Sequence, residues 1–328
     1  MKRIVVTLLV VLICMPCISA PPASKPMFIV IAKNGDAMQH NKKQPAWKNL
    51  QRGDTITAAE EIKIPQGGYV NLLHSSGRNL ELKTSGVIPV AVLLQKIAPK
   101  PSPIYQRLYS YIYGEIIKSN AKNDAFPTAG VERSICITPA KKATPGEVAV
   151  NQYDENYQRT LIPVIYPKNT YTMQPVINFS WIKKENLNNY ELKVLDRYDV
   201  AVFTKKVFDS TYTIDLQSLN IKKGECYFWF VEAGFYKSNR FCIVLLPENE
   251  IKAIKDTVAI IEKEFKSNPG PMLNLALASF YASKNLTKEA AHYYREAANV
   301  APQIKDYADI YKNYLNKIGM ADSKDYLR

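Results

Sequence analysis

The hydrophobic period of this chain changes at Pro247. After it, Ile251, Ile254, Val258, Ile261 and Phe265 recur at steps of three and four, the spacing of one helix face. Before it, apolar residues alternate: Ile62 with Ile64, Val70 with Leu72, Leu80 with Leu82, and later Phe179 with Trp181. Such a chain is expected to fold as separate β and α units, not as one interleaved sheet. A length of 328 residues is enough for two or three domains.

The first unit is expected over residues 27–95. Phe28-Ile-Val-Ile31 is an uninterrupted apolar run, and the alternating pairs after it are separated by Gly53-Asp54, Gln66-Gly67-Gly68 and Ser76-Gly77. Short strands at this spacing predict a small all-β barrel or sandwich. Several residues follow in a telling order: Gly35, Trp47 and Leu50, Gly53-Asp54, Ile56, Ile62, Val70-Asn71-Leu72, Gly77, and Leu80-Glu81-Leu82. In that order the segment resembles the FecR-type domain of bacterial envelope proteins. The resemblance implies a non-enzymatic domain outside the cytoplasmic membrane. The transmembrane helix of that family's signal relays has no counterpart in this chain.

Residues 96–160 read as a Pro-rich linker, one helix and a loop. Pro99 to Pro103 is stiff. Tyr105, Leu108, Tyr109, Ile112 and Ile116 recur at helical spacing, although Tyr109, Tyr111 and Tyr113 alternate and leave a strand open.

Residues 161–246 predict a second β unit of about seven strands. Pro175, Trp181, Tyr190, Leu219, Gly224, Tyr227, Trp229 and Val231 resemble the pattern of an immunoglobulin or fibronectin type III sandwich. Trp181 and Trp229 are expected to face each other, since a thin two-sheet core needs broad flat side chains. If the last two strands turn near Gly234, Cys226 and Cys242 face each other with Cβ atoms about 4.5–5.5 Å apart. That is slightly wider than the roughly 3.8 Å a disulfide prefers. A bridge is open to this pair, and a register shift of one residue would separate it.

Residues 247–320 are expected to be helical. Asn274, Leu277, Ala278, Tyr281, Ala290, Tyr294, Ala297 and Pro302 resemble one tetratricopeptide repeat, with Asn274 where a large aromatic belongs. The small residues let two helices approach, and the tyrosines fill the gaps beside them. Leu277, Ala278, Tyr281, Ala290, Tyr294, Ala297 and Pro302 are thus the expected packing residues. One repeat cannot bury its own faces, so the flanking helices must cap it. Gly319 ends the last helix.

The N-terminus sets the expected compartment. Lys2 and Arg3 precede the apolar run Ile4 to Ile13, Pro16 breaks it, and Ser19 and Ala20 are small. This is the pattern of a cleaved signal peptide over residues 1–19, too short for a membrane span. Lipidation at Cys14 or Cys17 is not expected, because Ile13 and Pro16 stand where a small residue is wanted. The protein is therefore expected to be periplasmic or otherwise extracytoplasmic. An exported chain seldom meets nucleic acid, so the formal charge of +13 points to anionic envelope surfaces. The paired lysines Lys141-Lys142, Lys183-Lys184, Lys205-Lys206 and Lys222-Lys223 read as solvated turns.

No residue set predicts catalysis or a cofactor. His40, His74 and His292 lie in three regions, and the mature cysteines Cys136, Cys226 and Cys242 are too scattered for a zinc site. There is no nucleophile elbow or phosphate loop. Glu60-Glu61 and Asp154-Glu155 are adjacent pairs, which a strand turns to opposite faces. The expectation is a non-enzymatic envelope adaptor or scaffold that binds an envelope protein through its helical domain, with the β domains as spacers. The alternative is a glycan-binding module for peptidoglycan or surface polysaccharide.

Overall fold

The computed structural model describes residues 27–41, 46–97, 106–107, 109–110, 112–113, 160–266 and 270–320. The expectations for the signal peptide, Cys136, Lys141-Lys142 and Asp154-Glu155 lie outside the described residues. The described chain forms several sandwich-like β-sheets, antiparallel except where residues 170–172 pair in parallel with 243–245, followed by a helical region.

The first unit has eight strands: β1 (Phe28–Asn34), β2 (Met38–Asn41), β3 (Lys48–Asn49), β4 (Thr55–Ile56), β5 (Glu60–Ile64), β6 (Tyr69–His74), β7 (Asn79–Leu82) and β8 (Gly86–Pro89). They make two sheets ordered β4-β1-β6-β7 and β3-β2-β5-β8. Phe28, Val30, Ile56, Ile62, Ile64, Val70 and Leu72 share the core between them. Instead of a further strand, Val90–Leu94 forms a short helix α1, whose Val90 and Leu93 close that core. Gly68 sits so close to Pro65 that a Cβ would lie 2.9 Å from its carbonyl oxygen, so the Gln66-Gly67-Gly68 turn tolerates no side chain there.

The apolar run in β1 has a structural cause. Phe28 and Val30 face the core between the sheets, whereas Ile29 and Ile31 belong to a different core, shared with the helices. The same holds for β6, where Val70 and Leu72 point inward and Tyr69 and Leu73 join the helical core. This sheet is covered on both faces, which suppresses the usual polar alternation. Burying each such large apolar side chain contributes about 1.5–3 kcal/mol.

The second unit has nine strands: β9 (Val164–Tyr166), β10 (Thr170–Thr172), β11 (Val176–Trp181), β12 (Tyr190–Leu195), β13 (Ala201–Val207), β14 (Thr211–Asp215), β15 (Tyr227–Ala233), β16 (Tyr236–Lys237) and β17 (Phe241–Leu245). One sheet is ordered β10-β17-β15-β12-β13, with β16 also on β15, and the other β14-β11-β9. Trp181 and Trp229 are fully buried in the core between these sheets, but they do not pair. Trp229 meets Phe179 edge-on at 4.8 Å, and Trp181 packs on Tyr190 at 5.5 Å.

Lys205-Lys206 is not a turn. Both residues lie in β13, an edge strand, where Lys205 pairs with buried Leu192 and Lys206 with Glu191. Cross-strand partners share a face, so Lys205 stands on the core-facing side of the edge. An inward charge at an edge strand discourages a second strand from adding there.

The helices are α2 (Glu248–Phe265), α3 (Pro271–Ser283), α4 (Thr287–Val300) and α5 (Lys305–Lys317). Pro271 starts α3 at its first turn, where its missing N–H costs nothing. After α5, Gly319 takes a left-handed conformation (φ 69°), and Met320 N–H bonds back to Leu315 C=O. In the segment expected to hold a linker, one helix and a loop, the described residues between 106 and 113 are helical, and buried Ile112 joins the core of α2–α5. Ile112 therefore packs with the helical region.

Candidate functional site

The helical region touches both β units, and each joint carries polar contacts. At the first, α5 lies on the outer face of β1 and β6. Lys33 N–H donates to Asp306 Oδ2 at 2.7 Å, and Arg52 Nη1 donates to the Asp306 carbonyl at 3.1 Å. Beside them the Tyr69 and Tyr307 hydroxyls lie 3.2 Å apart, and Asn71 Nδ2 donates to both at 3.1 Å. Asn71 is fully buried, and its Oδ1 has no hydrogen-bond partner among the described residues. Burial pushes the Tyr69 phenol up to about 12 and the Tyr307 phenol higher still, so both are neutral donors and acceptors. Burial also raises the Asp306 carboxyl, against the opposing pull of the Lys33 N–H and Arg52.

The second joint docks the loop between α3 and α4 on β10. Tyr171 N–H donates to Asn285 C=O at 3.1 Å, and the Thr287 hydroxyl donates to Thr170 Oγ1 at 2.9 Å. Thr170 Oγ1 in turn reaches the Asn285 carbonyl at 2.9 Å. Lys168 Nζ donates to Gly319 C=O, fastening the end of α5 to the same unit. Thus α3 to α5 stand between the two β units and bond to each.

Between these joints Leu277, Ala278, Tyr281, Ala290, Tyr294 and Ala297 are all buried in one core. Pro302 is not a packing residue: it lies exposed in the turn before α5, where its fixed φ helps end the preceding helix. Tyr294 packs on Tyr314 of α5 at 4.6 Å, so α5 covers α4. Helix α3 buries Met272, Leu275, Ser279 and Phe280 as well as its repeat positions. It is enclosed nearly all round, as a central helix is. The outer faces of α2 and α4 expose Lys252, Lys255, Lys288 and His292.

A carboxylate sits near the second joint. Glu289 of α4 is pushed upward by burial, with Tyr166, Tyr281 and Tyr293 in its field. Tyr281 and Tyr293 stack on each other at 5.4 Å, which leaves no slot between their rings for a ligand. The histidines stay apart. His40 stacks on Trp47 at 5.0 Å, His74 Nδ1 meets Ser76 Oγ at 2.8 Å, and His292 lies edge-on to Tyr293. Among the described residues no group of three His, Cys, Asp or Glu side chains is placed to hold a metal. Glu60 accepts the Thr57 N–H, and Glu61 lies 4.0 Å from His40 Nδ1.

Cys226 and Cys242 are disulfide-bonded. They are not directly opposite each other, for Cys242 pairs with Phe228. The hairpin turns between Gly234 and Phe235, and one extra residue separates β16 from β17. Together these displace the expected register by two residues, and a shift of two keeps both sulfurs on the same face.

The polar joints were not anticipated. Asn71 carried the available signal: it is the lone polar residue in Tyr69-Val-Asn-Leu-Leu73, a run apolar on both faces. Nothing in the local pattern marks Asp306, Tyr307 or Thr170.

Among the described residues, no helix is long and apolar enough to cross a membrane. No family model matches the chain, and no curated protein is significantly similar to it. Among solved structures, the spore cortex lytic enzyme SleM of Clostridium perfringens is similar at 21% identity and a TM-score of 0.20, over 27% of this chain and 28% of that one. A beta-1,2-glucanase from Parabacteroides distasonis is similar at 14% identity and a TM-score of 0.19, over 42% of this chain and 23% of that one. The chain thus spans about a quarter of either enzyme's length, and likenesses this faint carry no argument about fold or activity.

Proposed function

We propose that the chain is a non-enzymatic scaffold of the bacterial envelope that binds a partner protein, with a FecR-like β unit and a fibronectin type III-like sandwich held apart by a tetratricopeptide-like helical hub. The observation that supports it is the pair of joints. Lys33, Arg52, Tyr69 and Asn71 hold one end of the hub, and Thr170 with Tyr171 holds the other. Two units fixed by buried, directional bonds keep a set spacing, which is what a scaffold needs. Because α3 is enclosed, the partner binds the outer faces of α2 and α4, not a groove along α3.

Glycan binding has less support. Trp181 and Trp229, the broadest stacking surfaces in the sandwich, are fully buried. Photo-crosslinking residues placed at Lys255 and Lys288, in the chain expressed with its own leader, test the reading. One discrete protein adduct from both positions, reduced by excess unlabelled chain, is expected. Adducts only to cell-wall material, or none, overturn it.

A further inference from the structure

One end of the sandwich carries exposed apolar side chains on three separate loops. Glu191 pairs with Lys206 on one side and with Glu232 on the other, so β13, β12 and β15 share a row there. Phe208 lies two residues beyond that row and Phe235 three residues beyond it. One strand separates theirs, which sets them about 10 Å apart laterally at about 4.8 Å per strand. Ile182 reaches the same end from the other sheet, for Trp181 N–H bonds to Ser210 C=O and Ile182 N–H to Pro163 C=O. Phe235 is 94% exposed, Phe208 71% and Ile182 44%. Gly234, with φ at 58°, lets a two-residue turn hold Phe235 at its tip.

Each of these side chains has a lysine close by in the chain. Lys183 and Lys184 follow Ile182, Lys206 precedes Phe208 by two residues, and Lys237 follows Phe235 by two. Lys184 Nζ lies over the Tyr236 ring at 5.8 Å, which ties the two loops together. Against these cations stand Glu185 and Asp209. Asp209 is turned onto the Ser210 N–H. Glu191 and Glu232, in the row behind, are both held by Lys193, and Glu232 also lies 3.8 Å from Lys237. At the opposite end Tyr198 is exposed too, but the Arg197 guanidinium covers its ring at 4.8 Å and bonds its hydroxyl.

The geometry points to this end of the sandwich docking on an anionic phospholipid bilayer, with Phe208, Phe235 and Ile182 entering the interface and Lys183, Lys184, Lys206 and Lys237 meeting the headgroups. Side chains without a polar atom gain by leaving water, and a bilayer accepts them without a matching shape. A stable protein interface needs roughly 800 Å² of shape-matched surface on each partner, a match that a fluid bilayer does not require. Lysines beside the apolar tips add attraction to anionic lipid and make it salt-dependent. The inference rests on the proposed envelope location, but vesicle binding needs no partner protein, so it fails or stands apart from the crosslinking test.

The test is co-sedimentation of residues 20–328 with vesicles of phosphatidylglycerol and phosphatidylcholine, and with phosphatidylcholine alone. Binding only to the anionic vesicles is expected, weakened about tenfold or more in Phe208→Ser/Phe235→Ser at unchanged melting temperature. Tyr198→Ser is expected to bind as wild type does. In Phe235→Trp, the added emission should shift to the blue and be quenched by acyl-brominated lipid. Absence of binding to anionic vesicles, equal binding by the double variant, or retention on isolated peptidoglycan lost in that variant while vesicles stay unbound, overturns the inference.

Discussion

The hydroxyls of Tyr69 and Tyr307 lie 3.2 Å apart across 238 residues of chain, both bonded to Asn71, where a helix closes on the first β unit. Tyr307→Phe leaves Tyr69 and Asn71 each short of a partner in a buried site. A loss of about 1–3 kcal/mol is expected, the cost of an unsatisfied buried polar group. Tyr69→Phe/Tyr307→Phe should lose less than the sum of the single variants, by at least about 0.5 kcal/mol, because the two share one network. Urea unfolding of the four chains gives the coupling, and strict additivity would refute the shared network.

Asp306 gives that joint a pH dependence. Its folded-state pKa is raised by burial, with Lys33, Arg52 and Asp309 in its field. The folded chain therefore holds this proton more tightly than the unfolded chain does. The group favours the fold when protonated, and that advantage is lost as pH rises through the raised pKa. An Asn at 306 still accepts the Lys33 N–H without carrying charge. Asp306→Asn is expected to melt above wild type near neutral pH, with the gap closing as pH falls toward the ordinary carboxylate range near about 4. Melting curves across that range check it; a gap that widens on acidification contradicts the sign.

Ala278 sits in the helical core, and Lys288 is exposed at the start of α4. Ala278→Leu overpacks a filled contact and is expected to cost about 1–3 kcal/mol. Lys288→Ala should cost less than about 0.5 kcal/mol. Equal shifts in the unfolding midpoint of the full chain would rule out the close helix contact.

Lys205 faces the core side at an edge of the sandwich, opposite Leu192. Lys205→Val removes the charge that keeps another strand from pairing with β13, and should yield concentration-dependent oligomers by light scattering. Lys206→Val, beside Glu191 on the outer side, is expected to remain as wild type. Monomers at all concentrations for both variants would show that the edge is protected in some other way.

The Cys226–Cys242 bridge closes a short loop around β15 and β16. Peptide mapping of the oxidised protein is expected to recover that linked pair and a free Cys136 thiol. Reduction should lower stability by about 3 kcal/mol, the loop-closure entropy for roughly 15 residues. A linked peptide containing Cys136 would contradict the pairing.

Local pattern determined much of this architecture. The switch from alternation to helical steps at Pro247 marks where the sheets end and α2 begins. The glycine turns of the first unit and the stop at Gly319 lie where the residues place them. Those features depend on periods of two and 3.6 residues and on backbone freedom, which are properties of adjacent residues. Tertiary structure decided the rest. It set Ile29 and Ile31 in a different core from Phe28 and Val30, gave Trp229 to Phe179 rather than Trp181, and turned Lys205 inward on an edge. It also joined Tyr69 to Tyr307 and Thr170 to Thr287. Periodicity states which face of an element is apolar. It cannot state which surface arrives opposite that face, because that follows from strand register and from contacts made hundreds of residues apart.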